Sequence, residues 1–529
     1  MQCRTTDSSE IFKKRRAGIL LHPTSLPASE HDLGGCGTLG PAAYQFVDFM
    51  AASGLTIWQM LPVGPTHSDR SPYQSLSAHA GSAELISIDW LVEQGWLSAA
   101  DLAHHAHDRT SVLHLAATRF FQANQTESEE NYKEENYKEE NYKSGEGDRH
   151  RDVYANYRQF CKAHSHWLND FALFQALRAA FQSRAWNKWP REYVIRDKAA
   201  LAEFSAQHRA AVNYYYFEQF VFHQQWQQLR QYARDRGIFF FGDMPIFVAH
   251  DSADVWANQQ FFNLDEDGNP RTVAGVPPDY FSETGQHWGN PHYHWEAIAA
   301  TGFEWWLARL GSQLQLFDLI RIDHFRGFEA FWEIPGDSKD ARQGRWVKAP
   351  GHAFLRACYQ AFPGLPLVAE NLGVITREVE ALRREFNLPG MLVLQFAFDG
   401  HPDNPHLPHH HTKQDVIYTG THDNDTTLGW YETLSAQERT LLSEYYAGAA
   451  DGMPWTLIKS ALASVSKMTI VPLQDWLALG GEHRMNMPGT TKENWTWQFD
   501  WHQVPNNLAH KIHHLLWLYD RLPDQQKSS

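Results

Sequence analysis

The sequence predicts an α/β protein, a (β/α)₈ TIM barrel with subdomains inserted between its strands. Eight short apolar runs are spread along the 529 residues, and each leads into a polar residue. Continuous apolar runs of this length are typical of strands that are buried on both faces, as in a parallel sheet. Amphipathic patterns of helical period lie between many of the runs, at 44–50, 216–236, 304–314 and 376–386. Strands that alternate with helices indicate βαβ units, and eight such strands favour a closed barrel.

Each apolar run is followed by at least one polar side chain. The runs are, in order, GILL before His22, LTIW before Gln59, IFFFG before Asp243, FDLIRI before Asp323, PLVA before Glu370, MLVL before Gln395, VIYTGT before His422 and Asp423, and TIVPL before Gln474 and Asp475. In a barrel of this type the active site forms at the carboxyl ends of the strands. These polar residues are therefore the first candidates for a functional site.

The spacing of the runs is uneven. About a third of the chain lies between the second and third runs, which is too long for an ordinary connection. We expect one catalytic barrel domain over residues 1–529, with a mostly helical inserted subdomain at approximately 92–214 and a smaller insertion at approximately 251–300. The larger insertion contains three copies of the unit EENYK at 129–143. We expect this repeat to be a surface segment without a catalytic part.

Composition argues against several classes of function. The formal net charge of -16 disfavours a nucleic-acid binder, which needs a basic surface. No apolar run approaches membrane-spanning length, so no membrane partner is expected. The four cysteines form no CxxC pair, and the N-terminus has no apolar signal region, so we expect a cytoplasmic protein without disulfides. The 21 Trp residues provide flat apolar surfaces, which can stack on sugar rings.

Arg321 and Asp323 form the most informative local pattern. They lie two residues apart on one predicted strand, so their side chains point to the same face. A charged pair inside a barrel is costly unless the charges are paired and functional. We expect the guanidinium to lower the pKa of Asp323 and keep it ionised, as a nucleophilic carboxylate requires. The alternative is a structural buried ion pair.

Two more carboxylates follow predicted strands. Glu370 by itself could be a cap or a loop residue, whereas Asp423 has no such structural explanation. Asp425, close by, is expected to be the N-cap of the next helix. Carboxylates on the fourth, fifth and seventh strands would converge over the barrel axis. Two of them can catalyse retaining glycoside chemistry, one as nucleophile and one as acid and then base, and a third would raise the pKa of the acid.

Two other motifs have weaker functional interpretations. A GxGxxG pattern begins at Gly35, but a loop precedes it instead of the strand that a dinucleotide site requires. Five histidines cluster at 401–411 in a proline-containing loop. Adventitious metal affinity is an open alternative there, but no paired carboxylate ligands are evident. We expect neither a metal nor an organic cofactor.

Several longer strings resemble a known family, the amylomaltases or disproportionating enzymes, which are 4-alpha-glucanotransferases. The resemblance extends from residue 18 to about residue 499, without most of the stretch at about 96–214. The strings are GILLHPTSLP, WQMLPVGPT followed by SPYQ, FGDMPIFVAHDSADVW, AGVPPDYFSETGQHWGNP, RIDHFRGF, AENLG, PGMLVLQFAF, YTGTHDND and RMNMPGT. The resemblance implies transfer of α-1,4-glucan segments between maltooligosaccharides by a retaining mechanism.

The resemblance also implies a role for each carboxylate. Asp323 resembles the nucleophile, Glu370 the acid and base, and Asp423 the residue that stabilises the transition state. Further glucan contacts are implied at Tyr73, Asp243, Asp279, Gln286, Trp288, Arg321, His324, His422 and Asn486. The loop at 275–291 is expected to cover the acceptor side as a lid, the alternative being a plain barrel connection.

Some positions depart from the family pattern, and some alternatives remain. Asn371, next to the expected acid, occupies a position that is often Asp, so a charge is missing there. Ser82 and Ala83 stand where Asn-Pro is expected. An amylase-like hydrolase would use the same carboxylates, and an inactive glucan-binding protein is the alternative from another class. The sequence assigns no residues to the family's second glucan site and predicts no oligomeric state.

Overall fold

A computed structural model describes residues 8–29, 31–32, 35–105, 108–134, 146–278, 282–448, 452–490 and 492–527. The strands are β1 (Arg16–Leu20), β2 (Ile57–Gln59), β3 (Phe239–Pro245), β4 (Thr272–Val276), β5 (Gln286–Pro291), β6 (Leu319–Asp323), β7 (Ala330–Pro335), β8 (Arg345–Lys348), β9 (Leu367–Ala369), β10 (Gly390–Val393), β11 (Asp415–Tyr418) and β12 (Met468–Pro472).

The α-helices in the described ranges surround these strands. They are α1 (Ser8–Lys13), α2 (Pro41–Ser53), α3 (Ile88–Glu93), α4 (Ala99–His104), α5 (Arg109–Glu134), α6 (Glu146–Ala163), α7 (Ser165–Ala180), α8 (Arg191–Val194), α9 (Lys198–Gln207), α10 (Arg209–Asp235), α11 (Ala253–Ala257), α12 (Trp295–Ala300), α13 (Glu304–Leu316), α14 (Gly351–Ala361), α15 (Arg377–Glu385), α16 (Thr427–Thr433), α17 (Ala436–Tyr445), α18 (Trp455–Ala463), α19 (Leu473–Trp476) and α20 (Leu508–Leu518). None of these helices is both long and apolar enough to cross a membrane.

Eight strands form one parallel sheet in the order β10-β11-β12-β1-β2-β3-β6-β9. The first and last strands of this order meet where Ala369 N donates to Pro389 O at 2.8 Å, so the sheet forms a nearly closed barrel. These eight strands coincide with the eight apolar runs, and the predicted (β/α)₈ fold is confirmed. The four predicted helical patterns coincide with α2, α10, α13 and α15.

The barrel has two layers of packing because its strand residues alternate between inside and outside. Leu20, Phe241 and Leu319 belong to an apolar cluster that fills the interior. Ile19 and Ile320, their neighbours in sequence, pack against the surrounding helices in the main core. Every residue of β11 and β12 is buried, which explains why these strands are mostly apolar on both faces.

The stretch between β2 and β3 contains α3 to α10. The long helix α10 contacts α7 most extensively and also packs on α2, so it joins the inserted helices to the barrel. The EENYK repeat begins within α5, but residues 135–145 lie outside the described part of the chain. The glycine-rich segment that begins at Gly35 follows a short turn at Pro23–Ser25, not a strand, and leads into α2.

A second sheet lies beside the barrel, with the antiparallel order β5-β4-β7-β8. The described part of the predicted 275–291 loop contributes the end of β4 and all of β5, so these residues form strands and not a loop. A Cβ atom at Gly275 would approach Gln286 O to 2.1 Å, so the close contact of β4 with β5 requires glycine.

The N-cap of α16 is Thr426, not Asp425 as predicted, because the Thr426 side chain accepts from Gly429 N.

Candidate active site

Strand β6 carries a charged pair to the barrel mouth. Leu319 packs in the interior cluster, whereas Ile320 and Ile322 pack against the helices. Alternation then places Arg321 and Asp323 on the inner face, as predicted. Arg321 Nη2 lies 2.9 Å from Asp323 Oδ1.

Arg321 has a second carboxylate partner on the neighbouring strand β3. Its Nη1 donates to Asp243 Oδ1 at 2.8 Å and to Oδ2 at 2.6 Å. The register of the two strands places Asp243 opposite Arg321. Asp243 is only 1% exposed, so its carboxylate lies behind Arg321 and fixes the guanidinium. The sequence marked Asp243 as a strand-end residue but did not indicate this pairing.

The carboxyl group of Asp323 holds its proton more tightly than expected. Burial raises the pKa of Asp323 to about 7, the charges of Asp243 and Glu370 add to the rise, and Arg321 opposes it. The prediction that Arg321 would lower this pKa is wrong in its net direction, because loss of hydration outweighs the ion pair. The side chain keeps 28% of its surface exposed, so a substrate can reach the carboxylate.

Glu370 lies immediately after β9 and is 8% exposed. Its Oε2 accepts from His324 N at 2.7 Å, and its Oε1 accepts from Leu372 N at 2.6 Å. Burial raises the pKa of Glu370, while Arg321 and the two backbone N–H groups act in the opposite direction. The predicted rise is present, but its main cause is burial and not a third carboxylate.

Asp423 follows β11 and differs from the other two carboxylates in its proton affinity. Its Oδ1 accepts from Asn486 Nδ2 at 2.6 Å, and its Oδ2 lies 3.4 Å from His422 Nε2. Burial acts to raise the pKa of Asp423, but the charge of His422 and hydrogen bonds from His422 and Asn486 hold it well below its usual range. Asp423 is therefore ionised at neutral pH.

Tyr73 connects the two sides of the site. Its hydroxyl donates to Asp243 Oδ2 at 2.8 Å and lies 2.8 Å from His422 Nε2. Burial and the charge of Asp243 raise the pKa of Tyr73, which keeps it a donor. The resulting chain of polar contacts comprises Asp423, His422, Tyr73, Asp243, Arg321 and Asp323.

Trp288 and His324 form an aromatic edge of the site. Their ring centroids are 4.8 Å apart and their planes nearly perpendicular. Trp288 Nε1 donates to Gln286 Oε1 at 3.0 Å. His324 has a left-handed backbone with φ 51°, and its buried Nε2 has no hydrogen-bond partner among the described residues. Burial lowers the pKa of His324 to about 3, so the imidazole is neutral and free to bond a ligand.

Three further side chains lie at the mouth, and of these only His22 was among the candidates from the sequence. Burial and the charge of His422 lower the pKa of His22 to about 3. Trp495 lies with its ring centroid 6.0 Å from that of His422, and Arg484 Nη2 donates to Asp423 O at 3.0 Å. The position of His22 after an apolar run was a usable signal. Arg484 and Trp495 follow the last barrel strand; Arg484 opens the RMNMPGT string, which was a usable signal, whereas Trp495 lies beyond it in a stretch without a recognisable pattern.

Other predicted features contribute nothing further to the site. Asp279 lies outside the described residues, so its glucan contact stays a prediction. In the histidine cluster, His406 Nδ1 accepts from Val393 N at 3.0 Å, and one ring nitrogen of His411 bonds Ser464 Oγ at 2.9 Å. Within the described ranges, no group of three His, Cys, Asp or Glu side chains could hold a metal ion. These two histidines stabilise their own loop.

The site thus combines three carboxylates that differ in proton affinity. Asp423 is ionised, whereas burial raises the pKa of both Glu370 and Asp323, which is paired with a fixed guanidinium. Carboxylates whose environments push their pKa values apart are typical of acid and base catalysis. Retaining glycoside chemistry uses two carboxyl groups, one as nucleophile and one as acid and then base.

Comparisons with known proteins agree with this chemistry. A family model described as 4-alpha-glucanotransferase matches residues 21–503. A 4-alpha-glucanotransferase of Synechocystis is 44% identical over 515 residues, which cover 97% of this chain and 99% of the relative. The enzyme of that name from Thermus thermophilus is 45% identical over 503 residues, which cover 94% and 96%. The solved amylomaltase from Streptococcus agalactiae in complex with acarbose is 34% identical, has a TM-score of 0.87, and covers 96% of this chain and 100% of its own. The chain belongs to the 4-alpha-glucanotransferase family.

Proposed function

We propose that this enzyme moves α-1,4-glucan segments from one maltodextrin to another by a retaining double displacement. The observation that carries the proposal is the arrangement around Arg321, which pairs Asp323 with a fixed cation 2.9 Å away. Glu370, the second carboxylate, is held nearby by two backbone N–H groups. Family membership supplies the reaction class, and these contacts support the separate roles.

In the first step, Asp323 attacks the anomeric carbon of the donor and forms a covalent glucosyl-enzyme. The glycosidic C–O bond breaks as Glu370 gives its proton to the leaving oxygen. Arg321 favours the ionised form of Asp323 that the attack needs. Each Glu370 oxygen accepts one backbone hydrogen bond and has another lone pair, which can carry the proton.

In the second step, a hydroxyl of the acceptor glucan attacks the same carbon. Glu370, now a carboxylate, takes the proton of that hydroxyl, and the bond to Asp323 breaks, so the configuration is retained. Asp423 stays ionised and stabilises the positive charge of the oxocarbenium-like transition state. Asn486 and His422 hold its carboxylate in place, so little reorganisation is required during the reaction.

The partition between transfer and hydrolysis depends on the acceptor side. We assign this side to Trp288, Gln286 and His324, because an aromatic wall binds a sugar ring and excludes water. The remaining predicted glucan contacts are Tyr73, Asp279, Arg321, His422 and Asn486. Asp243 acts through the two side chains that it fixes, Arg321 and Tyr73.

The alternatives share parts of this description. An amylase-like hydrolase would use the same carboxylates, but family membership favours transfer. An inactive glucan-binding protein is disfavoured because all three carboxylates are present. A cytoplasmic location, expected from the composition, remains part of the proposal, as does the use of maltodextrins as both donor and acceptor.

Incubation with maltotriose alone, followed by chromatography of the products, tests the proposed function. Transfer yields free glucose together with oligosaccharides longer than maltotriose. Glucose and maltose without any longer product would mean that the enzyme is a hydrolase. Binding of maltotriose without any turnover would mean that the protein is a glucan-binding module.

A further inference from the structure

Strands β9 and β10 meet in a different way from the other neighbours in the barrel. The ladder order begins at β10 and ends at β9, so this junction is the seam of the barrel. Ala369 N donates to Pro389 O at 2.8 Å, as in a parallel ladder. The next bond of a regular parallel register would join Met391 N to the Ala369 carbonyl. Met391 N donates instead to the side-chain Oδ1 of Asn371, at 2.8 Å.

The Asn371 side chain therefore replaces one backbone hydrogen bond of the parallel ladder. Its amide packs against the backbone of Gly390, where an added Cβ would lie 3.0 Å from both Asn371 Nδ2 and Oδ1. Met391, the residue that it holds, also places its Sδ 3.3 Å from Arg321 Nε. Asn371 thus connects the segment that carries Glu370 to strand β10, where Met391 contacts Arg321.

The other end of the same amide makes a contact that an aspartate could not make. Asn371 Nδ2 donates to Glu380 Oε1 at 2.8 Å. Although burial opposes it, hydrogen bonds from Arg383 and Asn371 lower the pKa of Glu380, so this carboxylate is ionised. Arg383 Nη2 lies 2.8 Å from Glu380 Oε2. An aspartate at 371 would place a second carboxylate against Glu380 and could not donate to it.

Asn371 lies in the middle of the segment that orients Glu370. The backbone of Glu370 is fixed to β6, because Glu370 N donates to Ile322 O at 3.0 Å. Its carboxylate is held by Leu372 N at 2.6 Å, and Leu372 is the residue after Asn371. Release of the Asn371 side chain would leave Leu372 N free to move. The orientation of the Glu370 carboxylate would change with it.

We propose that Asn371 is a positioning residue for proton transfer by Glu370. Asn371 closes the barrel seam and, by donating a hydrogen bond to Glu380, fixes the Glu370–Leu372 segment. This proposal rests on the assignment of Glu370 as the acid. The paired Asn371 and Glu380 side chains form one unit, so a change at one position can be compensated at the other.

Two glucosyl donors with different leaving groups can distinguish a loss of acid positioning from a general loss of stability. Cleavage of maltotriose needs a proton from the acid, whereas release of fluoride from α-maltotriosyl fluoride does not. We expect Asn371→Asp to slow maltotriose turnover about tenfold or more and the initial burst of fluoride less than about twofold. Glu370→Gln is the reference and should show the same selective loss.

Two further variants complete the test. In Asn371→Asp/Glu380→Gln, the glutamine can donate to the aspartate, so we expect maltotriose turnover to recover to within about threefold of wild type. Asn404→Asp is the matched control, because Asn404 also accepts from a backbone N–H (His406, 2.8 Å) and donates to an oxygen (Phe396 O, 2.7 Å). The Asn404→Asp variant should lower the melting temperature, but it should not slow maltotriose turnover selectively relative to fluoride release from α-maltotriosyl fluoride.

The possible outcomes distinguish this proposal from the proposed function. If Glu370→Gln slows both donors equally, Glu370 is not the acid, and the mechanism given under the proposed function fails. If Glu370→Gln is selective but Asn371→Asp slows both donors equally or neither, the positioning role of Asn371 is overturned. A folded double variant that recovers no turnover overturns it as well, and this comparison remains valid if Asn371→Asp alone does not fold.

Discussion

Arg321 lies 2.9 Å from the carboxylate of Asp323 while its other terminal nitrogen bonds both oxygens of Asp243. One cation is thus shared by two carboxylates, one buried behind it and one at the mouth. The shared cation only partly stabilises the anion of Asp323, whose pKa rises to about 7. This balance has a direct consequence for the pH dependence of the reaction.

The first prediction concerns the acid limb of kcat/KM. The proposed nucleophile acts as a carboxylate, so protonation of Asp323 as the pH falls through about 7 should lower kcat/KM. The apparent pKa of this acid limb is a property of the interacting pair Asp323 and Glu370 and not of one residue alone. Maltotriose turnover measured from about pH 5 to about pH 9 checks this. A rate that stays constant from neutral pH down to the acid end would contradict it.

The second prediction concerns the hydroxyl of Tyr73. Tyr73→Phe removes the link between Asp243 and His422, and we expect kcat to fall about tenfold or more. Tyr418→Phe is the matched control, because its buried hydroxyl donates to Gln59 Oε1 at 2.8 Å, within the barrel. Each variant should lose about 1–3 kcal/mol of stability on chemical denaturation. Equal kinetic losses in the two variants would show that the Tyr73 hydroxyl has only a structural role.

The third prediction concerns the support of Asp423. Asn486→Ala removes the 2.6 Å hydrogen bond to Asp423 Oδ1. A hydrogen bond to a charged group contributes about 1.5–3 kcal/mol, so we expect kcat/KM to fall about 10- to 100-fold. Asn187→Ala, which removes a 2.9 Å bond to Asn269 in another part of the chain, serves as the control. Unchanged kcat/KM in the Asn486 variant would exclude this supporting role.

The fourth prediction concerns the choice between a sugar and water as acceptor. Trp288→Ala removes the ring that packs on His324. An aromatic contact contributes about 0.5–1.5 kcal/mol, so we expect the ratio of transfer to hydrolysis to fall roughly 2- to 12-fold. The ratio is measured as longer oligosaccharides formed against reducing ends released. Trp517→Ala, on the exposed face of α20, should leave the ratio unchanged. A ratio that is the same in both variants would remove Trp288 from the acceptor site.

Much of the fold could be predicted because a buried parallel strand is apolar on both faces, and all eight such runs became barrel strands. The joint position of Arg321 and Asp323 followed from alternation along one strand. Their surroundings could not be predicted in the same way. The contact with Asp243 depends on the register between β3 and β6, which are 78 residues apart at this pair. The upward pKa shift of Asp323 depends on burial, which no local pattern reports.

The second sheet shows the same limit. Strand β5 contains glycine, proline and Trp288, a mixture typical of a loop, and it becomes a strand through pairing with β4. Strand β4 in turn pairs with β7, which lies beyond β6 in the chain. The side-chain hydrogen bond by which Asn371 replaces a backbone bond was likewise not predictable, because the sequence showed only a missing charge next to Glu370.

Trapping of the covalent intermediate identifies the nucleophile directly. Glu370→Gln is mixed with α-maltotriosyl fluoride, quenched, digested and analysed by mass spectrometry. We expect a maltotriosyl group on Asp323, and no labelled peptide in an otherwise identical Asp323→Asn/Glu370→Gln variant. A label on another residue, or fluoride release in a single-turnover burst without any labelled peptide, would contradict the assignment of Asp323 as the nucleophile.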